Sequence, residues 1–563
     1  MSTAGHIVGA VLRFLVAVIR FVVMLAGRER MAAFVVFVLV VVLVLFFKLA
    51  LTRAGTGWRR VRSIRFRLWL WLRPGRGFAS LPELWLRWGR MAAVSYGARS
   101  RPGLSLLTRL ILPTTEYAVR LGRAQYLRRL YAAFELHMLI LAPPRTDKSG
   151  LLADRIIRHP GPVLATSTRA DLHQLTSPSR LARGPVHVFN PEGVGDVPST
   201  FRWDLLGACT DELTAYRMAD WLAGATDGYG DLAWFEEQGT MAMSGLLLAA
   251  AMSGATLADL YQWTQKRGHE RALTALAEHG NPQLHAAVRA LMEDGNKTAA
   301  SIRATIARAL KWAAIPQLAA AVDRRGAFSV REFALEGGTL HLISSGDSRS
   351  VITPLQRALA SYIHFESGLI GSRAAAGRLD PPLLIAGDEI AQVAPVDLPS
   401  MLADSAGKGI TFVTVAHSLA KLEERYGRDG AANIWAISGV KMLLRGITEP
   451  QTLEDVSRVC GTLGDEDDDR VRIVPPDVLR RLPKHSALVI NMDLSPVIVR
   501  VSRAWRRRSV RRLAGAPVLV PLQRTGEAVA PELAELPAAS EAAESFPAVN
   551  GSGWLAGAGG ERR

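Results

Sequence analysis

The stretch His137-Met-Leu-Ile-Leu-Ala-Pro-Pro-Arg-Thr-Asp-Lys-Ser-Gly150 decides the fold of this chain. Its apolar first half predicts a buried strand. A short turn that ends in Lys148-Ser149 then leads into an amphipathic helix with Leu151 and Ile156 on its apolar face. This is the layout of a phosphate-binding loop, in which backbone N–H groups hold phosphates at a helix N-terminus. The stretch therefore predicts an α/β fold with a nucleotide-binding P-loop.

The loop departs from the usual P-loop pattern at Ala142 and Asp147, where that pattern has glycine. Asp147 adds a Cβ and a negative charge, and two unit charges about 4 Å apart at an effective dielectric near 20 repel by roughly 4 kcal/mol. At face value this costs about a thousandfold in nucleotide affinity, so Asp147→Gly is expected to raise affinity by about one to three orders of magnitude. The carboxylate could avoid the repulsion by turning to solvent, pairing with Arg145 or sharing a Mg²⁺ ion.

The length of 563 residues allows two to four domains. The formal net charge is +17, but only nine of the 68 basic residues are lysine. Arginine dominance of this kind is partly a signature of genome base composition. The net charge therefore has two possible sources. One is genome base composition together with membrane anchoring, and the other is a polyanionic partner. Two distant cysteines, Cys209 and Cys460, predict neither a disulfide framework nor a metal site.

The N-terminal 52 residues predict a membrane anchor. Residues 31–51 are apolar enough to cross a bilayer, which needs about 20 such residues. Residues 6–27, interrupted by Arg13 and Arg20, are either a first span or a helix lying in the interface. Eight arginines without an acidic residue follow in 53–76, so the rest of the chain is expected on the cytoplasmic side of the cell membrane. Strict alternation over 64–72 favours a strand or a surface ribbon there.

Downstream, short apolar strands alternate with helical segments, the pattern of a parallel α/β sheet. The predicted strands are 138–142, 162–166, 186–189, 339–343, 383–387, 411–415, 441–444, 487–490 and 497–501. Residues 205–322 have helical spacing throughout and predict an all-helical insertion. The predicted division is an anchor (1–52), a basic Trp-rich juxtamembrane region (53–129), a motor domain (130–204 and 323–513), the helical insertion (205–322) and a disordered tail (514–563).

A second motif, Leu383-Leu-Ile-Ala-Gly-Asp-Glu389, is an apolar strand that ends in two carboxylates. In P-loop ATPases the first acid holds Mg²⁺ and the second polarises the attacking water. A strand ending in two acids is weak evidence by itself. The motif is stronger evidence here because it lies downstream of a phosphate-binding loop in the same predicted sheet.

The run Asp-Leu-Pro-Ser-Met-Leu-Ala-Asp-Ser-Ala-Gly-Lys-Gly-Ile-Thr-Phe-Val-Thr-Val-Ala-His-Ser-Leu over 397–419, and its continuation to 427, resembles the C-terminal signature of TraG/TraD-type coupling proteins. These are the DNA-transfer ATPases of conjugation and type IV secretion, and the actinobacterial members are the most similar. The resemblance covers about 121–502. It implies a RecA-like P-loop NTPase core with an all-helical insertion, preceded by N-terminal transmembrane helices. It also implies a homo-hexamer that uses ATP and Mg²⁺ to pass single-stranded DNA, with relaxosome proteins, to a secretion channel.

Carried over residue by residue, the resemblance implies the following site. The nucleotide-binding residues are Arg145, Thr146, Asp147, Lys148, Ser149 and Gly150; the Mg²⁺ ligands are Ser149 and Asp388; and the catalytic residues are Glu389, Lys148 and His417. His417 stands where the family commonly has a glutamine that senses the γ-phosphate, and a satisfied histidine at a strand end is the equal alternative.

Two main functions remain open from the sequence. The first is an ATP-driven DNA translocase; the second is a hydrolysis-deficient membrane scaffold or regulatory subunit that sits beside an active paralogue. A chromosome-partitioning pump of the FtsK type is a lesser third option. Arg425 and Arg445 are nominees for an arginine finger. Lys408 and the basic helix 297–311 are candidate DNA contacts, with ordinary solvated residues as the alternative. The glutamates of 527–544 are a candidate partner site, with plain solubility as the alternative.

Overall fold

The computed structural model describes residues 77–513 except 125–128, 225–230, 280, 294–296, 324–327, 348–349, 464–470 and 493, with the side chains of 81 and 231–236 also excepted. The predicted membrane segments 6–27 and 31–51, the arginine-rich stretch 53–76 and the tail 514–563 lie outside the described residues. Within the described part, no helix combines the length and the hydropathy that a membrane span requires.

The predicted strands are all present within the described residues, together with others that were not predicted. The strands are β1 Val119–Arg123, β2 Arg129–Ala132, β3 Met138–Leu141, β4 Val163–Ser167, β5 Val186–Phe189, β6 Thr339–Ile343, β7 Leu383–Asp388, β8 Ile410–Ala416, β9 Val440–Leu444, β10 Thr462–Leu463, β11 Val471–Arg472, β12 Ser486–Asn491 and β13 Leu494–Arg500. Two of the unpredicted strands, β1 and β2, precede the predicted ones, and a short unpredicted pair, β10 and β11, lies between β9 and β12.

The helices fall into three groups along the chain. Before the P-loop are α1 Leu81–Leu86, α2 Arg90–Ser100 and α3 Leu106–Ile111; α4 Lys148–Arg158 and α5 Asp171–Arg180 follow it. Between β5 and β6 the elements are helical: α6 Glu212–Ala223, α7 Asp231–Ser253, α8 Leu257–Thr264, α9 Glu270–His279, α10 Pro282–Met292, α11 Lys297–Ala309, α12 Pro316–Ala320 and α13 Val330–Leu335. The rest are α14 Thr353–Arg373, α15 Ile390–Val393, α16 Leu398–Ser405, α17 Leu419–Ile437, α18 Pro450–Val459, α19 Pro476–Arg480 and α20 Arg508–Leu513.

In the described part of the chain, eleven strands form one mixed sheet in the order β2-β1-β13-β12-β9-β3-β8-β7-β4-β6-β5. The stretch from β9 to β5 is parallel, as predicted. The prediction of a parallel sheet was wrong for the other edge, where β12, β13, β1 and β2 pair antiparallel. The reason is local: Asn491 pairs with Leu494, and so short a connection between β12 and β13 permits only a hairpin.

The P-loop strand β3 is buried on both faces. Leu139 and Leu141 face a core shared with the helices between β5 and β6, whereas Met138 and Ile140 face a second core that contains the apolar side of α4. This alternation follows from the two-residue side-chain period of a strand. A strand covered on both sides holds the start of the loop in a fixed position.

The ends of five strands meet at one edge of the sheet, next to the loop. Leu141 at the end of β3 pairs with Ala416 at the end of β8, and Asp388 at the end of β7 pairs with Val415. On the other side, the first residue of β12 pairs with the last residue of β13 at this same edge. In open α/β sheets ligands bind in the crevice outside the carboxyl ends of the parallel strands. The topology therefore gathers residues from distant parts of the chain around the P-loop.

Candidate nucleotide-binding site

The loop between β3 and α4 contains two residues with a left-handed backbone, and one of them, Asp147, stands where the usual pattern has glycine. Arg145 (φ 63°) and Asp147 (φ 70°) are both left-handed, a conformation that glycine adopts freely and aspartate more readily than most residues. The Thr146 hydroxyl donates a hydrogen bond of 2.6 Å to the Pro143 carbonyl and closes the turn. The backbone at Asp147 therefore has the left-handed conformation that a glycine would adopt freely.

The Asp147 carboxylate points away from the start of α4. Asp147 is the N-cap of that helix, yet within the described residues its side chain makes no capping hydrogen bond. It accepts a hydrogen bond from His485 Nδ1 instead, and Arg503 Nη1 lies 4.0 Å away. Arg503 Nη1 is in turn 3.1 Å from His485 Nε2. None of the three orientations expected from the sequence is the one observed; the partners are His485, just before β12, and Arg503, three residues after β13.

The pKa of His485 is lowered mainly by burial, which outweighs the opposing effect of the hydrogen bond to Asp147. A neutral imidazole that donates from Nδ1 to Asp147 and accepts at Nε2 from Arg503 satisfies both contacts. The charge that balances Asp147 is therefore supplied by Arg503. The backbone N–H groups in the first turn of α4 are left to bind an anion.

The opposite side of the loop carries the predicted catalytic residues. Lys148 Nζ forms an ion pair with Glu389 and lies 3.2 Å from Asp388 Oδ1. His417 Nε2 lies 2.8 Å from the same Glu389 oxygen, and the Thr168 hydroxyl donates to the other oxygen at 2.9 Å. The structure thus brings four of the predicted site residues together. Thr168, directly after β4, was not predicted, because a lone threonine after a strand gives no signal.

Two carboxylates at the end of β7 have different electrostatic environments. Burial raises the pKa of Asp388, with Lys148 opposing the shift and Glu389 adding to it. Burial also acts to raise the pKa of Glu389, but the hydrogen bond and charge of Lys148 outweigh it and the net shift is downward. Glu389 is therefore held in its ionised form, as a residue that accepts a proton or orients a water must be. Its left-handed backbone (φ 56°) is the kind of strain found at functional sites.

The residues present fit a Mg²⁺ ion. Asp388 Oδ1 is buried and, in the described part of the chain, has no hydrogen-bond donor beyond its ion pair with Lys148. Ser149, half-buried, lies in the first turn of α4. The described residues contain no cluster of three or more His, Cys, Asp or Glu side chains that could hold a metal. Mg²⁺ at a nucleotide needs only one or two protein ligands because phosphates and waters supply the others.

The chain after β13 runs along α4, a contact that the sequence pattern does not predict. Trp505 packs over Gly150, where even a Cβ would overlap its ring. Arg507 Nη1 lies 3.9 Å from the buried carboxylate of Asp154. Because 147, 150 and 154 lie on one side of a helix, the segment covers a single face of α4. We call Asp388, Glu389 and His417 the acid flank of the loop, and His485, Arg503 and Trp505 its basic flank.

Other sequence candidates lie away from the loop or have structural partners. The Ala142 amide donates to the Ala416 carbonyl at 2.9 Å, and its own carbonyl lies 3.3 Å from His417 Nδ1. Lys408 pairs with Asp404. Arg425 lines a cleft of about 1200 Å³ between α15 and the helices that follow β5. Three further candidates are placed as follows: Arg303 donates to the Leu291 carbonyl, Arg308 lines the same cleft, and Arg445 is half-buried after β9.

Comparison with known proteins gives two kinds of match. Residues 382–484 match a family model described as the TraM recognition site of TraD and TraG. This segment includes the signature over 397–427. The resemblance to TraG/TraD-type coupling proteins is thereby confirmed.

The fold is similar to that of the bacterial conjugative coupling protein TrwBdeltaN70 in its unbound monoclinic form, with a TM-score of 0.52 and 18% identity over 68% of this chain and 88% of that one. The plasmid coupling protein TrwB in complex with the non-hydrolysable ATP analogue ADPNP gives a TM-score of 0.50 and 20% identity over 66% and 87%. These likenesses show the mixed α/β core. A search of curated proteins by sequence gave no match.

Proposed function

We propose that this chain is a membrane-anchored, ATP-driven coupling protein that recruits DNA, or a DNA–relaxase complex, and moves it to a conjugative type IV secretion channel. The TraG/TraD-type segment 382–484 supports the coupling role. The P-loop with its two flanks supports nucleotide binding, and the similar fold of TrwB has been seen with an ATP analogue.

The observation that carries the proposal is the direction of the Asp147 side chain. The one residue expected to repel a triphosphate is bonded to His485 and faces Arg503. Its charge is therefore compensated on the side of the loop remote from Glu389. The argument for a hydrolysis-deficient scaffold was that this carboxylate disables the loop, and its contacts with His485 and Arg503 remove that argument.

The mechanism follows from the residues of the acid flank. The amides of the loop and Lys148 bind the β- and γ-phosphates, and to do so Lys148 has to leave Glu389. Glu389, still held by Thr168 and His417, is then free to orient a water and accept its proton. Ser149 and Asp388 would hold Mg²⁺, which when bound neutralises charge on the phosphate oxygens. Nucleotide binding and activation of the base are thereby linked through one lysine.

We further propose the setting of this activity. The anchor is the apolar segment 31–51, with or without 6–27, and the arginines of 53–76 keep the bulk of the chain in the cytoplasm at the cell membrane. The chain works as a ring, a homo-hexamer as in the family it resembles, around single-stranded DNA. The segment 382–484 contacts a relaxosome protein, in line with the TraM recognition that the family model describes.

The test is ATP hydrolysis by the full chain in detergent or proteoliposomes, with and without single-stranded DNA. Lys148→Ala is the matched control, because it removes the phosphate ligand from the loop. We expect DNA-stimulated hydrolysis in the natural chain and none above background in the variant. Equal rates in the two proteins would refute the motor and leave the scaffold.

A further inference from the structure

The basic flank contains an aromatic ring that the P-loop chemistry does not use. Trp505 lies in the short turn after β13, and its ring packs on Gly150 in the first turn of α4. The side chain is nevertheless 38% exposed, which is unusual for a tryptophan packed against a helix. One part of the ring is thus fixed by the helix, and the rest is accessible to solvent.

The two flanks define the direction in which a triphosphate must lie. Its γ-phosphate belongs beside Lys148 and Glu389, on the side of β7 and β8, because those groups act on the terminal phosphate. The sheet order places β9, β12 and β13 on the other side of β3. The α-phosphate, and the nucleoside attached to it, must therefore leave the loop toward the basic flank. Gly150 is the residue next to the Lys148-Ser149 pair on that route.

We propose that Trp505 is the stacking surface for the nucleotide base. This inference rests on the nucleotide binding proposed above and adds the residue that holds the nucleoside. Because Gly150 has no side chain, the ring can lie directly against the first turn of α4, where a Cβ would overlap it. Arg503, two residues earlier, keeps a positive charge beside the same part of the loop. Stacking on one aromatic face tolerates every base, so ATP and GTP should bind with similar affinity.

The experiment compares two probes on the full chain: ADPNP, which has a base, and inorganic tripolyphosphate, which has none. In Trp505→Ala we expect ADPNP affinity to fall by about 5- to 100-fold, the range that base–aromatic stacking covers. Tripolyphosphate affinity should stay unchanged. Trp505→Phe should keep most of the ADPNP affinity, because it retains an aromatic face.

The matched control is Trp85→Ala. Trp85 is 55% exposed on α1, and Glu83 of that helix binds the backbone at Ser495, near the start of β13 rather than its end. The control should bind both probes like the natural chain. An equal loss of both probes in Trp505→Ala would mean that the ring only supports α4, and no loss of either would place the base elsewhere; both results overturn the inference. If the natural chain itself binds neither probe, the proposed function fails and this inference fails with it.

Discussion

The two flanks of the P-loop differ in charge and in origin. The acid flank is formed by residues that directly follow or end two parallel strands, and its carboxylates surround Lys148. The basic flank is formed by residues just before and just after an antiparallel hairpin, and His485 is 338 residues from its partner Asp147. The loop lies between the two flanks: the Lys148 ammonium is paired with the acid flank, and the Asp147 carboxylate is bound by the basic flank.

The two flanks differ in which chemical groups their roles require. Proton transfer and metal binding on the acid flank require particular functional groups in particular places. Compensation of Asp147 on the basic flank requires only a hydrogen-bond donor and a positive charge, and many elements can supply those. A P-loop can therefore depart from its usual sequence at Asp147 and still present free amides, provided that the neighbouring hairpin brings the right partners.

The largest effect is expected on the acid flank. Glu389→Gln should lower ATP hydrolysis by about 10²- to 10⁴-fold, because the amide cannot accept the proton of the attacking water. Nucleotide affinity should be kept or slightly raised, since Lys148 loses the carboxylate that competes with the phosphates. Steady-state hydrolysis and equilibrium binding of ADPNP measure the two parts separately.

Glu424→Gln is the control for this prediction. It removes the same charge from an exposed pair with Lys421 on α17 and should leave both measurements unchanged. Hydrolysis that survives in Glu389→Gln at more than a tenth of the natural rate would show that another group activates the water. The assignment of roles on the acid flank would then be wrong.

The basic flank should show a smaller effect, on binding rather than on chemistry. Arg503→Ala leaves the Asp147 carboxylate without its balancing charge, so the carboxylate is free to repel a bound phosphate. We expect nucleotide affinity to fall by about 10- to 100-fold, less than the full Coulomb estimate because solvent reaches the site. The double variant Arg503→Ala with Asp147→Gly should recover most of the loss.

Recovery in the double variant separates compensation from direct phosphate binding. If Arg503 itself held the phosphates, removing Asp147 would not restore affinity. Arg506→Ala is the matched control, since it removes an equal charge from an exposed arginine three positions away. Its ADPNP affinity should lie within about twofold of the natural value.

The sequence predicted one flank and not the other for a physical reason. Lys148, Asp388 and Glu389 belong to local patterns of strand and turn, and parallel strands bring their carboxyl ends to one edge. The partners of Asp147 depend instead on a hairpin, β12–β13, whose two strands the sequence pattern predicts to be parallel. With that hairpin misplaced, His485 and Arg503 had no assigned position.

The misplaced hairpin also affected the expected repulsion between Asp147 and a bound phosphate. A Coulomb energy for two charges 4 Å apart is sound only if the carboxylate faces the phosphate, and side-chain direction at a left-handed residue cannot be read from spacing. The strands β1 and β2 were missed for a related reason. They are short and lie among arginines and tyrosines, so their alternation is weak, and their place at the sheet edge is set by pairing with β13.

The smallest effect is expected for Asp147→Gly by itself. The sequence estimate was a gain of about one to three orders of magnitude, but the carboxylate is held by His485 and faces Arg503, away from the free amides of α4. We expect ADPNP affinity to rise by less than about fivefold, which reflects the residual repulsion over a longer and partly screened distance.

Asp147→Asn is the matched variant, because it removes the charge and keeps a residue that tolerates the left-handed turn. Titration calorimetry at one fixed salt concentration measures all three proteins. If Asn and Gly give the same small gain, charge is the cause, whereas a gain of a hundredfold or more would mean that the carboxylate enters the phosphate position and that the basic flank does not restrain it.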